Sequence, residues 1–456
     1  MRLWTIPTIY TAASLVAATI IPRLERAFAP DLVHGMSPAA AMAFLTATAS
    51  GILSFTAIVF SIAFVMVQFS AMAYSPRLVL WFANRPMLYH ALGTFIATFV
   101  YAMATLIWTD RGGNEAVPLV SMLIVLGLLV ASMACFVILV QGLGRLQITD
   151  VLGMVGGQGR RVIAEEEHGR AKAAGATPRR LVPPPAGLHE PALVLRHVGE
   201  PRCVTSIAVL DLLRAAEATG AVLVLQAAVG DTLVEGSPVL AVHGAGPGPD
   251  PVRLLACVRL GAERTFEQDP KYPIRLLVDI AIKALSPAIN DPTTAVQALD
   301  QIDDLLRRLS RLDLGSIWLA DTRGQARLFV PLPDWEDYLS LAFDEIRQFG
   351  LTSVQVMRRM RAALLGLEEV LDREDRRPAV QRYLAHLDRA IAASEFDPTD
   401  RATARQVDPQ GLGFSRDHRG EAEVEHPPRH AQDGKPQAPR QRSHPGRQPP
   451  PSKSNG

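Results

Sequence analysis

The chain has 456 residues, with 46 Lys or Arg against 45 Asp or Glu, giving a formal charge of +1. A balance so close to neutral sets up no long-range field and gives no reason to expect a nucleic-acid partner. The three cysteines, Cys135, Cys203 and Cys257, lie too far apart for a disulfide framework or a metal knuckle.

Between Asp31 and Arg77 there is no Asp, Glu, Lys or Arg, and from Ala39 to Ala73 the chain is almost wholly apolar. At about 1.5 Å of rise per residue, a helix of that length exceeds a hydrocarbon core of about 30 Å. The chain therefore reads as a membrane protein. Four spans are predicted within a transmembrane domain over 1–145: Leu3–Ile21, a helix over about 42–72, Met87–Trp108 and Val117–Leu143. The alternative for the first span is a cleaved signal peptide, because Ala27-Phe28-Ala29 resembles a small-residue cleavage site. Arg23, Glu25 and Arg26 stand between that site and the apolar run, which argues against cleavage. Drawn this way, no span contains Asp, Glu, Lys or Arg, which removes the usual mark of proton- or ion-coupled transport.

Short-loop basic residues set the orientation. Arg2, Arg77, Arg85, Arg145, Arg160 and Arg161 fall on one side, and Arg23, Arg26 and Arg111 on the other. The first side is expected to be cytoplasmic, with both termini inside. In the second span Ser50, Ser54, Ala57, Ser61 and Gln68 recur at helical spacing on one face. Two readings compete for it: a polar stripe lining a water-filled path, or close helix packing through small residues.

The region after the bundle is expected to be cytoplasmic and α+β. Residues 146–190 read as a linker and helix, with Gly153, Gly156, Gly157 and Gly159 predicting a flexible exit from the membrane. Residues 191–245 read as a small β-rich module with one amphipathic helix near Asp211–Ala218. Its strand-turn-strand spacing over 222–242 is similar to the hairpins of barrel-sandwich carrier modules. A carrier needs an attachment lysine, and none occurs between Lys172 and Lys271, so no covalent cofactor is expected. Residues 251–395 read as mostly helical, with a β-hairpin around Thr322-Arg-Gly-Gln and helices over 334–349, 353–371 and 378–394. From residue 396 to 456 Pro, Arg, Gln, His and Gly dominate, which predicts a disordered tail.

The densest stretch runs from Arg264 to Ala295. Leu277, Ile280, Ala281 and Ala284 form the buried stripe of one helix, Ser286-Pro287 ends it, and Asp291 with Pro292 starts the next. In the functional reading Arg264, Asp269, Arg275, Asp279, Asn290 and Asp291 form a polar cluster or inter-subunit contact. In the structural reading they are ion pairs, a turn and a cap. No Walker loop, GxGxxG, HExxH, CxxC or nucleophile elbow occurs, so no catalytic residue, metal or cofactor is assigned and no enzyme is expected.

The combination Ser61…Gln68…Ser75-Pro76-Arg77 with Ala284-Leu-Ser-Pro287…Asn290-Asp-Pro-Thr-Thr-Ala295 resembles the DUF2254 family of bacterial predicted membrane proteins. The likeness covers roughly Leu3 to Ser394 and departs at Pro273 and Ala288, where glycine is expected. It implies a bacterial inner-membrane location and supplies no activity or site residue. The expected function is an uncharacterised inner-membrane protein that forms homo-oligomers in the lipid bilayer, as a channel-like permeation component or its regulator. The alternative is a membrane-anchored sensor or scaffold whose cytoplasmic region binds a small molecule, ion or protein. A membrane enzyme using Asp269, Asp279 or Asp291 ranks last.

Overall fold

A computed structural model describes residues 4–28, 37–73, 86–111, 117–144, 148–176, 182–185, 188, 190–244 and 248–413. Among the described residues four helices are long and apolar enough to cross a membrane: α1 (Thr5–Phe28), α2 (Pro38–Ala73), α3 (Pro86–Arg111) and α4 (Leu119–Gly144). Helix α3 packs against the other three, with Phe95, Tyr101 and Ala102 among its buried residues. The 36 residues of α2 rise about 54 Å, well beyond the hydrocarbon thickness.

Helix α1 runs one to two turns further than its sequence suggests. Pro22 and the charges after it look like a terminus, yet Pro7, Ser14, Ala18, Pro22 and Glu25 form one buried stripe. The helix continues because that stripe keeps its neighbours as far as Glu25. A first span free of ionisable groups is therefore corrected: α1 carries Glu25 into the bundle.

The glycines expected to make a flexible exit lie inside a 29-residue helix, α5 (Ile148–Ala176). Their role is close approach. A Cβ on Gly159 would stand 2.7 Å from Leu305 Cδ1 and 3.2 Å from Pro273 Cβ, and one on Gly156 would collide with the Gln301 side chain. Glycine thus lets α5 lie directly on α8 (Lys271–Ala284) and α9 (Pro292–Leu309). Arg160 fastens the contact, donating to Gln301 Oε1 at 3.1 Å and Asp304 Oδ2 at 3.0 Å.

Around α9 the C-terminal bundle is completed by α10 (Trp335–Phe349), α11 (Val354–Val370), α12 (Arg377–Ala392) and α13 (Pro398–Ala404). One core joins Leu299, Ile302 and Leu306 of α9 to Leu152 of α5, Leu277 of α8, Phe343 of α10 and Leu364 of α11. Side-chain caps start four of these helices: Asp291 accepts from Thr294 N–H, Ser353 from Val356 N–H, Asp397 from Thr399 and Asp400 N–H, and Asp334 forms a capping box with Asp337.

Between α5 and α8 the chain forms a β module. Its strands are β1 (Leu193–Arg196), β2 (Arg202–Ile207), β3 (Val222–Leu225), β4 (Thr232–Leu233), β5 (Pro238–His243) and β6 (Val258–Gly261). Helix α6 (Val209–Thr219) follows β2, and the short α7 (Pro251–Ala256) precedes β6. The hairpin expected within the helical segment joins this module instead. Strands β7 (Ile317–Ala320) and β8 (Ala326–Val330) give a five-stranded sheet in the order β1-β5-β3-β8-β7, with β3 and β8 parallel. A second sheet, β4-β2-β6, shares the same core, where Leu223, Leu240 and Leu328 meet Val204 and Leu233.

Part of the tail expected from residue 396 is instead ordered, as far as residue 413. Asp397 caps α13, Ala404 and Asp408 are fully buried, and Arg358 donates to Gly413 O at 2.8 Å. Ala404 and Phe396 tie this stretch to the helical core, and Asp408 accepts from Gly411 and Gly413 N–H. The rest of the expected tail, from residue 414, and Ser75-Pro76-Arg77 lie outside the described residues.

Candidate functional site

Ser50, Ser54, Ser61 and Gln68 are all exposed on α2. The opposite face, with Ala41, Leu45, Ala49, Ile52 and Val59, is buried in the bundle. Ala43, Ala47, Gly51 and Ala57 continue the exposed stripe, so small residues cover most of it. A Cβ on Gly51 would meet nothing within 4 Å. Ser50 satisfies its own hydroxyl by donating to Thr46 O at 2.8 Å. The stripe thus packs on no other helix of the same chain among the described residues.

The six polar candidates beyond the bundle fall in three places along and beside α8. Arg275 ion-pairs with Asp279 on its own helix and with Glu345 of α10, and these bonds raise the Arg275 pKa above its ordinary value. The same guanidinium holds the Glu345 carboxyl below the usual range. The arrangement ties two helices together. Asp291 is the α9 cap, accepting from both Thr294 N–H and Thr294 Oγ1–H. Asn290 takes φ +49°, a left-handed value that asparagine tolerates, in the α8–α9 turn.

Arg264 and Asp269 form the third place, against the β module. Asp269 is 1% exposed; its Oδ1 accepts from Lys271 N–H at 3.1 Å, while its Oδ2 has no hydrogen-bond partner. Burial pushes its carboxyl above the usual range, against the opposing pull of Lys271 and Arg264. Gly230, at φ +91°, opens the space for it: a Cβ there would stand 2.6 Å from Asp269 Oδ2. Lys271 Nζ donates to Val229 O at 3.0 Å, and Ile207 N–H donates to Gln268 Oε1 at 3.0 Å. Cys203 lies beside this group, and burial pushes its thiol up. A buried carboxyl with one free oxygen therefore sits where the module meets the C-terminal bundle.

A fourth group escaped the sequence reading. Glu25 of α1 is 5% exposed, and its Oε1 accepts from Val120 N–H, in the first turn of α4, at 2.8 Å. Its Oε2 has no hydrogen-bond partner. Nor has the buried Thr105 hydroxyl on α3. The buried Tyr101 hydroxyl on α3 pairs with the Ser121 hydroxyl on α4 and lies within interaction range of Glu25. The signal was present in the seven-residue spacing from Ala18 to Glu25, which places both on one helix face. Pro22 concealed it by looking like a helix end.

Among the described residues no group of three or more His, Cys, Asp or Glu is placed to hold a metal. No solved structure matches the chain. An uncharacterized protein of Mycobacterium bovis is 26% identical over 411 residues, covering 88% of this chain and 78% of that protein. An uncharacterized protein of Mycobacterium tuberculosis matches with the same identity and coverage. The model of the predicted membrane protein family DUF2254 matches residues 1–365. With that match over most of its length, and with four apolar helices at its N-terminal end, the chain belongs to the DUF2254 family of predicted membrane proteins.

Proposed function

We propose that the protein is a homo-oligomeric component of the bacterial inner membrane in which α2 helices from neighbouring copies line a permeation path. One observation carries this reading: Ser50, Ser54, Ser61 and Gln68 share the face of α2 that the other three helices leave uncovered. Lipid offers no hydrogen-bond partner to the Gln68 amide, whereas a second helix or a water-filled path does. The small residues between these polar ones let another backbone approach closely. Arg145, Arg160 and Arg161, just after α4, support a cytoplasmic C-terminal region under the positive-inside rule.

The reading is tested by ion flux into proteoliposomes that hold the full chain. Wild type is expected to conduct, and Ser54→Leu and Gln68→Leu to reduce flux strongly while leaving the chain folded and inserted. Flux from wild type no higher than from protein-free vesicles would overturn the reading. A second role, control by the C-terminal region, is favoured by the half-paired Asp269 carboxyl at the junction of its two parts. Under that role Asp269→Asn changes the pH dependence of flux and leaves the selectivity of the path unaltered.

A further inference from the structure

We propose that Glu25, Tyr101, Thr105 and Ser121 form a binding site for one small monovalent metal cation of the sodium class inside the membrane bundle. The proposal does not depend on the exposed face of α2, because these four residues belong to α1, α3 and α4.

A carboxylate within a membrane bundle is costly unless something compensates its charge. For Glu25 the compensation on view is partial. The N-terminal end of α4, where the helix dipole is positive, supplies one donor to Oε1. Oε2 is left with no hydrogen-bond donor, and among the described residues no Lys or Arg pairs with it. The neighbouring cations Arg23 and Arg26 are exposed, and Arg26 lies 4.6 Å from the centre of the Trp108 ring.

The hydroxyls around it are also set apart from ordinary membrane hydroxyls. Helix α3 has four threonines. Thr94, Thr98 and Thr109 each donate to the carbonyl one turn back, at 2.9, 2.8 and 2.9 Å. Thr105 does not, and its Oγ1 is buried without a partner. Tyr101 stands one turn before Thr105 on the same helix face, and Ser121 is the third residue of α4. Four buried oxygens from three helices, of which Glu25 Oε2 and Thr105 Oγ1 have no hydrogen-bond partner, therefore lie toward the end of the bundle that carries the α3–α4 connection.

Their chemistry selects the ligand. An all-oxygen set suits a hard cation. One carboxylate balances one positive charge, whereas calcium and magnesium sites ordinarily draw on more carboxylate or on retained water. A helix cap alone would use Oε1 and would leave Glu25 Oε2 and Thr105 Oγ1 unexplained.

The test uses the full chain in lipid nanodiscs, with radioactive sodium binding measured in a choline buffer at fixed pH and thermal stability followed alongside. Wild type is expected to bind sodium saturably, one ion per chain, and to melt higher as sodium rises. Glu25→Gln keeps an amide oxygen for Val120 N–H and removes the charge, so it should fold and lose the binding. Thr105→Val and Tyr101→Phe each remove one neutral oxygen and should weaken binding about tenfold, near 1.4 kcal/mol. These two carry the test if Glu25→Gln does not yield folded protein. Sodium binding that survives all three substitutions overturns the proposal. So does wild-type stability that follows pH but not sodium, which would make Glu25 a proton site or a helix cap only.

Discussion

The membrane bundle and the C-terminal helical bundle sort their residues in opposite directions. In the C-terminal bundle the interior is mostly Leu, Ile, Val, Ala, Met and Phe, and ion pairs such as Arg275–Asp279 and Arg361–Asp388 stand around it. In the membrane bundle Ile58, Phe64, Leu123, Leu126 and Val130 face outward, while Ser14, Thr98, Thr105, Ser121 and Ser132 are buried. The difference follows from the two solvents. Water drives apolar surface inward, but lipid tails are as apolar as leucine and give no such push. Membrane helices associate instead through close packing and through hydrogen bonds that lipid does not offer.

The largest expected effect breaks this comparison most directly. Leu299 of α9 is fully buried in the C-terminal core, so Leu299→Ala should cost about 3 kcal/mol of unfolding free energy. Leu126 of α4 is outward-facing at 46% exposure, and Leu126→Ala should change stability by less than about 0.5 kcal/mol. Denaturant melts of the full chain in mild detergent measure both. Equal costs would mean that outward-facing leucines are buried against another copy, which would bear on the oligomer as well.

Next in size is the contact of α5. Gly159→Val drives carbon atoms into Leu305 and Pro273, and overpacking of this kind should cost about 2 kcal/mol. Gly153→Val is the control, because a Cβ at Gly153 meets nothing within 4 Å. If the two variants melt alike, the glycines serve flexibility after all.

These glycines show where legibility ended. The helix cap at Asp291 was readable because cap and amide lie within three residues of each other. Membrane residence was readable because length and the absence of charge suffice for it. A glycine in a helix has two opposite meanings, and only the partner across the contact, more than 100 residues away, decides between them. The partner of the 317–330 hairpin was hidden for the same reason, since β3 and β8 are parallel strands far apart in sequence. Of the candidate site residues, Asp291 and the Arg275–Asp279 pair were readable as cap and ladder. Asp269 looked no different from them, because burial against Gly230 leaves no local mark.

Asp269 gives a smaller effect with a definite sign. Its folded pKa lies above the ordinary value of 3.8, so the folded chain holds the proton more tightly than the unfolded chain. Stability from that proton is fully present below the unfolded value and is lost as pH rises through the raised one. Asp269→Asn keeps an oxygen for Lys271 N–H and stays neutral throughout. It should therefore flatten the decline across that window and stabilise the chain at neutral pH by about 1 kcal/mol, the scale of one unpaired buried polar group. Thermal melts of both proteins over that pH range measure it. A variant less stable than wild type at neutral pH would mean that Arg264 and Lys271 need the negative charge.

The smallest expected effect bears on what holds the membrane helices together. Thr98 Oγ1 lies 2.9 Å from Ser132 Oγ, joining α3 to α4. With no competing water such a bond gains strength, but Thr98 Oγ1 also lies 2.8 Å from Thr94 O on its own helix and Ser132 Oγ 2.8 Å from Leu128 O, and each hydroxyl has a single proton to share between these acceptors. Each hydroxyl therefore has a local acceptor even when the helices separate, so the bond between them adds little. A double-mutant cycle with Thr98→Val and Ser132→Ala should give a coupling near ~0.6 kcal/mol, read from unfolding in mixed micelles. A coupling above about 2 kcal/mol would show that this bundle depends on polar links more than on close packing. The burial of small residues such as Ala41, Ala49, Ala91 and Ala102 at the contacts argues for packing, with the hydroxyls setting register.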